Sequence, residues 1–296
     1  METVLQISQL TKRFGSLQAV SNLSFNVERG NIYGLLGPNG SGKSTTLGML
    51  LNVINPTSGT WEWFGEPAES HHLKRIGAII ESPKFYPYLS AYKNLEIVAR
   101  IKEISLTNIN EKLELVGLLD RKYDKYKSYS LGMKQRLAIA GALLNDPEVL
   151  ILDEPTNGLD PQGIHQIREL IRSIASTGTT IIIASHLLDE IEKICTHVVV
   201  LRKGKALYSG PVDGILGDSD YMEISAEDTE ALVLLLKNTP WISSFDQKNV
   251  VIRIYLKAPH SASFVNSYFH EHNLPLTHLV KRKASLEEQF IVLTNN

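Results

Sequence analysis

Residues Asn26–Val53, NVERGNIYGLLGPNGSGKSTTLGMLLNV, join an apolar run to a glycine-rich turn and then to a segment of helical spacing that begins at Lys43-Ser44-Thr45. The order is strand, loop, helix. Within the turn, GPNGSGKS (Gly37–Ser44) fits the pattern G-x-x-x-x-G-K-[ST] in the strand-then-helix context that the pattern requires. Glycines let the backbone bend so that successive N–H groups point inward, where they and the helix N-terminus attract phosphate oxygens. Gly37, Pro38, Asn39, Gly40, Ser41, Gly42 and Thr45 are therefore expected to line a phosphate cradle. Lys43 would reach the β- and γ-phosphates of a nucleotide, and Ser44 would place its hydroxyl on Mg²⁺.

Further along, VLILDEPTNGLD (Val149–Asp160) ends an apolar strand in two adjacent carboxylates. Charge is costly there unless something positive binds. Mg²⁺ suits the position, with Asp153 holding the metal directly or through water. Glu154, pointing the other way along the strand, would polarise a water for in-line attack on the γ-phosphate. A third stretch, YSLGMKQR (Tyr129–Arg136), opens a helix-like run. Taken alone, its Ser130 reads as an ordinary N-cap before a buried helix.

The chain has 296 residues, enough for one large domain and a small one, and its 43% hydrophobic and 21% charged residues are those of a globular protein. Apolar runs such as TIIIAS and HVVVL are too short to span a bilayer. A formal charge of −2 argues against broad electrostatic binding to nucleic acid or anionic lipid, and Lys281, Arg282 and Lys283 read as a solvated strand end. The single Cys195 permits no internal disulfide, and METVLQISQL lacks a basic region followed by an apolar one. A cytoplasmic location is expected.

PEVLILDEP and TTIIIASH read as buried strands, each followed by a helical segment, PQGIHQIRELIRSIAST and LLDEIEKIC. That alternation predicts a mainly parallel sheet covered on both faces. Between the first helix and Tyr129, SGTWEWFGE alternates like a strand, whereas SAYKNLEIVARIKEI and TNINEKLELVGLL have helical spacing. An inserted helical subdomain is expected over about 88–145. After the hairpin in HVVVLRKGKALYSG the pattern changes, giving expected domains of 1–215 and 216–296. The second reads strand-helix-strand-strand-helix-strand, the ferredoxin-like order, with a short amphipathic helix in SLEEQFIVLT.

The phosphate loop, YSLGMKQR, LILDEP, NGLD and ASH occur in that order, and the set resembles the ATP-binding cassette (ABC) ATPases of membrane transporters. The resemblance covers about the first 215 residues. It implies an α/β P-loop fold: a mainly parallel sheet with an antiparallel β part and an inserted helical subdomain, followed here by a small C-terminal α+β domain. In that family the usual signature is LSGGQ, presented at a helix N-terminus toward ATP held by the partner subunit. Ser130 and Gly132 match its Ser and second Gly, while Tyr129, Leu131 and Met133 depart from it. Phe14 stands where the family places an aromatic that stacks on adenine. Asp160 matches a loop that reaches across the dimer, and His186 matches the switch histidine at the γ-phosphate. Where the family usually has a Gln that contacts Mg²⁺, this chain has Glu81, a charge in place of an amide. Glu81 and YSLGMKQR together look like the subgroup of bacitracin-resistance and lantibiotic self-protection exporters.

The resemblance implies a cytoplasmic ATPase subunit, peripheral at the inner face of the cell membrane, using ATP and Mg²⁺. It would form a head-to-tail homodimer docked on a separate integral-membrane permease, with export of an antimicrobial peptide, drug or lipid-like cargo. Two alternatives follow from the same residues. A non-transport ATPase of this fold would show a long coiled-coil insertion or two cassettes in one chain, and this sequence has neither. A regulatory module would use residues 220–296 to sense a ligand, with hydrolysis incidental.

Overall fold

Two strands of 12 residues, β1 (Thr3–Phe14) and β2 (Leu17–Glu28), form an antiparallel hairpin before the parallel sheet begins. Their pairing shifts register at four places, between Thr3/Leu5, Ile7/Leu10, Leu10/Lys12 and Lys12/Arg13. Each shift resets which side chains face inward, so period-2 alternation is blurred along the sequence. In this computed structural model the described residues are 2–81, 84–216, 221–248, 250–258, 260–282, 286 and 290. They divide into two compact units, Met1–Val212 and Asp213–Asn296.

The first unit continues with β3 (Ile32–Leu36), α1 (Lys43–Leu50), β4 (Ser58–Trp63), β5 (Glu66–Pro67), β6 (Ile76–Ile79), α2 (Ala91–Ile101), α3 (Ile109–Leu115) and α4 (Leu131–Leu143). It closes with β7 (Val149–Asp153), α5 (Pro161–Ser176), β8 (Thr180–Ser185), α6 (Leu188–Ile194), β9 (His197–Arg202) and β10 (Lys205–Pro211). One sheet is antiparallel, in the order β2-β1-β4-β5. The other runs β10-β9-β3-β8-β7-β6, parallel throughout except for β10. Every residue of β3, β7 and β8 is buried. Strands covered on both faces favour apolar side chains on both, which is why YGLL, VLIL and IIIA are continuous stretches, with the polar Asp153, Thr180 and Ser185 only at strand ends.

Because β3, β6, β7 and β8 run in one direction, their C-terminal ends share one edge of the sheet. Crevices at that edge are where open α/β sheets bind ligands. On the faces, α5 buries Ile167, Leu170, Ile171 and Ile174, the one-stripe spacing of an amphipathic helix. By contrast α4 is buried nearly all round, from Met133 to Leu143, and packs against α2 and α3. Cys195 is buried, and desolvation holds its thiol well above the ordinary value, in the unreactive protonated form.

One ionic cluster fastens the two sheets of this unit. Glu148, just before β7, accepts from the Nε of Arg75 and, at 2.7 Å, from Nη1 of Arg29, which follows β2. The Arg75 hydrogen bond, opposed by burial and aided by Arg29, depresses the Glu148 carboxyl from 4.5 to about 2. A depressed carboxylate stabilises the fold above its unfolded pKa and loses that contribution as pH falls through the folded value. Glu148→Gln is thus expected to melt at lower temperature than the parent at pH 7. The gap should narrow from about pH 4.5 downward and close near pH 2, since the shift spans that window. Solvent screening at this one-third exposed side chain keeps the effect modest. Parallel thermal melts of both chains between pH 7 and pH 3 check this, and a gap that widened in acid would contradict it.

The division between units falls within α7 (Val212–Leu216). The second unit comprises β11 (Tyr221–Ala226), α8 (Thr229–Lys237), β12 (Ile242–Lys248), β13 (Val251–Leu256), α9 (Ala262–Glu271) and β14 (Leu276–Arg282). Its sheet is antiparallel in the order β12-β13-β11-β14, the ferredoxin-like arrangement. Met222 and Ile224 of β11 and Ile252 and Ile254 of β13, each pair two apart, share one core with Leu232 and Leu236 of α8 and Val265 and Phe269 of α9. Asp228 and Ser261 cap these two helices through side chains that accept from Ala231 and Phe264 N–H groups. The helix expected in SLEEQFIVLT falls almost entirely outside the described residues. No helix among the described residues is long and apolar enough to cross a membrane.

Candidate functional site

Between β3 and α1, Gly37 to Gly42 form a tight loop at the C-terminal edge of the parallel sheet. Gly42 caps α1 at φ +106°, and a Cβ there would lie 2.7 Å from the Ala19 carbonyl oxygen of β2. A Cβ on Gly37 would lie 2.4 Å from the Leu201 carbonyl oxygen. Both positions accept only glycine. Ser41 N donates to Pro38 O, and no acidic side chain occupies the first turn of α1. The positive end of that helix is left facing the loop.

Lys43, 6% exposed, extends along the inside of this loop. Its Nζ donates to Gly37 O at 2.7 Å and Pro38 O at 3.4 Å and lies 3.6 Å from Glu154 Oε1. Asp153, the last residue of β7, is 4% exposed, and burial raises its carboxyl above the usual range. A hydrogen bond from Ser44 and the charge of Lys43 oppose that rise, while Glu154 and Glu81 add to it. Asp153 Oδ1 and Ser41 Oγ are buried polar atoms with no hydrogen-bond partner among the described residues. An under-satisfied buried carboxylate beside a serine hydroxyl and further carboxylates is a donor set suited to a hard divalent cation.

Glu154 takes φ +49°, an unusual conformation for a non-glycine residue that costs on the order of 1 kcal/mol. Its N–H donates to Ala184 O of β8, so the chain turns while still tied to the sheet. The turn sends Oε2 to His186, whose Nδ1 lies 2.9 Å away. His186 follows β8, and the next N–H, of Leu187, is taken by Ser185 Oγ. Glu81, exposed and also at φ +60°, follows β6 near enough for its charge to act on Asp153. Four strand ends thus contribute Lys43, Glu81, Asp153-Glu154 and His186 to one edge.

Phe14 ends β1 and is 47% exposed, with Lys12 Nζ 4.8 Å from its ring centroid. The same hairpin reaches the phosphate loop through Ala19. Ser130, Gly132 and Asp160 border a different cleft of about 340 Å³ between the N-termini of α4 and α5. Ser130 caps α4 by accepting from Met133 N–H, and Asp160 caps α5 by accepting from Gly163 N–H. The Ser130 hydroxyl keeps its own proton to donate elsewhere. A Cβ on Gly132 would meet only Leu159 Cδ2, at 3.8 Å, so packing within the chain does not require glycine there.

The same cleft is lined by Arg136, Gln162 and Gln166, which sequence reasoning did not single out. The two glutamines lie four apart on α5, a spacing that places both on one face and was open to reading. Arg136 donates to Val116 O at 2.8 Å, beyond the end of α3, a link invisible in sequence. Glu66, His71 and His72 also come together away from the loop. In that group, Nδ1 of the buried His72 accepts from Glu69 N–H and its Nε2 faces Glu66 Oε2 at 3.1 Å. Both ring nitrogens are committed to fastening the turn after β5.

A family model described as ABC transporter matches residues 20–157. The bacitracin transport ATP-binding protein BcrA of Bacillus licheniformis is 42% identical over 300 residues, covering 99% of this chain and 98% of that protein. The lantibiotic transport ATP-binding protein SrtF of Streptococcus pyogenes is 42% identical over 211 residues, 71% of this chain and 92% of that one. Among solved structures, cbiO1 from Clostridium perfringens, part of the ABC transporter complex cbiONQ, superposes with a TM-score of 0.68 at 27% identity. That match covers 81% of this chain and 97% of cbiO1.

Proposed function

The chain belongs to the family of ABC transporter ATP-binding subunits, ATPases coupled to transport, and from that premise we propose which of its residues bind, align and hydrolyse ATP and what it works with. The observation that carries the proposal is the continuous chain Lys43–Glu154–His186 beside the buried Asp153. Incoming phosphate oxygens compete for Lys43, whose ammonium already lies inside the loop, and the loop N–H groups and the α1 terminus share the negative charge. Adenine stacks on the exposed Phe14 ring. Asp153, Ser44 and Glu81 would hold Mg²⁺, which when bound neutralises charge on the β- and γ-phosphates. Glu154 accepts a proton from the attacking water, and His186, hydrogen-bonded through Nδ1, keeps that carboxylate aimed.

Ser130, Gly132 and Asp160 act on the nucleotide of a second copy. The support is that their cleft holds none of the phosphate-loop residues, that Ser130 retains a donor, and that Gly132 leaves room its own chain does not use. Two cassettes closing head to tail would join each phosphate loop to the other chain's α4 terminus. A separate membrane permease is the partner that turns this closure into transport, which places the subunit at the inner face of the membrane. The bacitracin and lantibiotic transport relatives support an exporter of antimicrobial peptide or a similar amphipathic cargo.

Lys43→Ala is expected to weaken ATP binding about 10- to 100-fold, the loss of one charge-assisted phosphate contact. Equilibrium titration with a fluorescent ATP analogue measures this, and unchanged affinity would mean that the loop does not cradle phosphate. Co-purification of the chain with its membrane partner, and loss of transport in the same Lys43 variant, tests the coupling.

A further inference from the structure

We propose that Arg168 and Glu190 are positioning residues for hydrolysis: their largely buried ion pair clamps α5, which Asp160 caps, to α6, which follows His186, and thereby sets the His186 ring on Glu154. The inference rests on the reading of Glu154 and His186 given above. Arg168 Nη2 lies 2.7 Å from Glu190 Oε1, and the two side chains are 16% and 9% exposed. Neither group is fully used, because Arg168 Nε and Glu190 Oε2 are buried without a hydrogen-bond partner among the described residues. A half-satisfied buried pair is a poor device for stability, since apolar side chains of similar volume often do as well or better. What it supplies that apolar packing does not is one fixed register between two helices.

That register matters for α6. The helix has seven residues and its N-cap, Leu187, offers no side-chain cap. One face is wedged against β3, where a Cβ on Gly34 would come within 2.7 Å of Ile191. Along the other, two arginines one turn apart on α5 grip it: Arg168 at Glu190 in the first turn, and Arg172 at Lys193 O in the last, at 2.6 Å. His186 stands four residues before Glu190, between the end of β8 and this anchored turn, and its one side-chain hydrogen bond among the described residues is to Glu154. Where the first turn of α6 sits therefore decides where the ring sits.

The test uses the full chain. Arg168→Met/Glu190→Met removes both charges together, leaving neither stranded, and is expected to fold and bind ATP like the parent. Its kcat should fall about 10- to 100-fold with KM for ATP unchanged, the penalty of a misplaced catalytic group. Arg168→Lys should recover most of the turnover, because only one guanidinium nitrogen is in use. Adding the double substitution to His186→Ala should cost nothing further, since residues acting through one another are non-additive. Parental kcat in the double variant, or a loss that multiplies with that of His186→Ala, overturns the proposal while leaving the site reading intact. Parental turnover in His186→Ala alone overturns the site reading, and the proposal with it.

Discussion

A Glu154→Gln chain is expected to bind Mg-ATP and to hydrolyse it about 10²- to 10⁴-fold more slowly than the parent, the range for losing a general base. The amide has the shape of the carboxylate, so the unusual turn at φ +49° and the N–H bond to Ala184 O survive. A side-chain oxygen also remains to accept from His186. What disappears is the negative charge, and with it the ability to take a proton from water. The same change removes the anion 3.6 Å from Lys43, which leaves the ammonium freer for phosphate. Binding should therefore hold or tighten while chemistry stops, and the ATP-closed dimer should accumulate. Size-exclusion chromatography with and without ATP, alongside phosphate release, separates the outcomes. Monomer alone in the presence of ATP, or near-parental turnover, would remove Glu154 from the role given to it.

How much of this was legible in the sequence depended on whether a property is local. The phosphate loop is local: Gly37 and Gly42 are glycines because the Leu201 and Ala19 carbonyls crowd them, and the spacing of glycine, lysine and serine records that constraint. The strands β3, β7 and β8 were readable because burial on both faces keeps their interiors apolar and confines polar residues to their ends. In the second unit β11 and β13 place residues two apart in the core and each helix its i, i+4 pair, so even the ferredoxin-like order came through.

The hairpin β1–β2 was harder, because four register shifts and left-handed residues at Gln9 and Asn22 interrupt its alternation. Nor could the sequence show how Glu154 reaches His186. From the alternation of a strand, adjacent carboxylates point to opposite faces, whereas the backbone rotation at Glu154 is what turns its carboxylate toward β8. Long-range pairs were invisible for a simpler reason. Arg29 and Glu148, or Arg168 and Glu190, look like any surface charges until the fold brings them together. Ser130 shows both sides of this divide: its capping of α4 was legible as local chemistry, whereas the proposal that its hydroxyl meets a second chain's nucleotide concerns a dependence that no contact within one chain can display.

Ser130→Arg addresses that dependence. The substitution is expected to leave ATP binding to the isolated monomer nearly intact, because the Ser130 cleft shares no lining residue with the phosphate loop. It should abolish ATP-dependent dimerisation and lower turnover at least about a hundredfold, since a bulky cation where a serine donor meets phosphate can be neither packed nor cheaply desolvated. Loss of the N-cap would cost about 1 kcal/mol on its own, too little to unfold a helix buried along most of its length. Mixing this chain with Lys43→Ala sharpens the test. If Ser130 serves the partner's nucleotide, the mixed dimer has one site with both defects and one with neither, and ATPase activity should reappear on mixing. If Ser130 serves its own phosphate loop, every mixed site carries a defect and nothing is recovered. Weaker ATP binding by Ser130→Arg in a chain shown to be monomeric would place the side chain in its own site and end the composite-site reading.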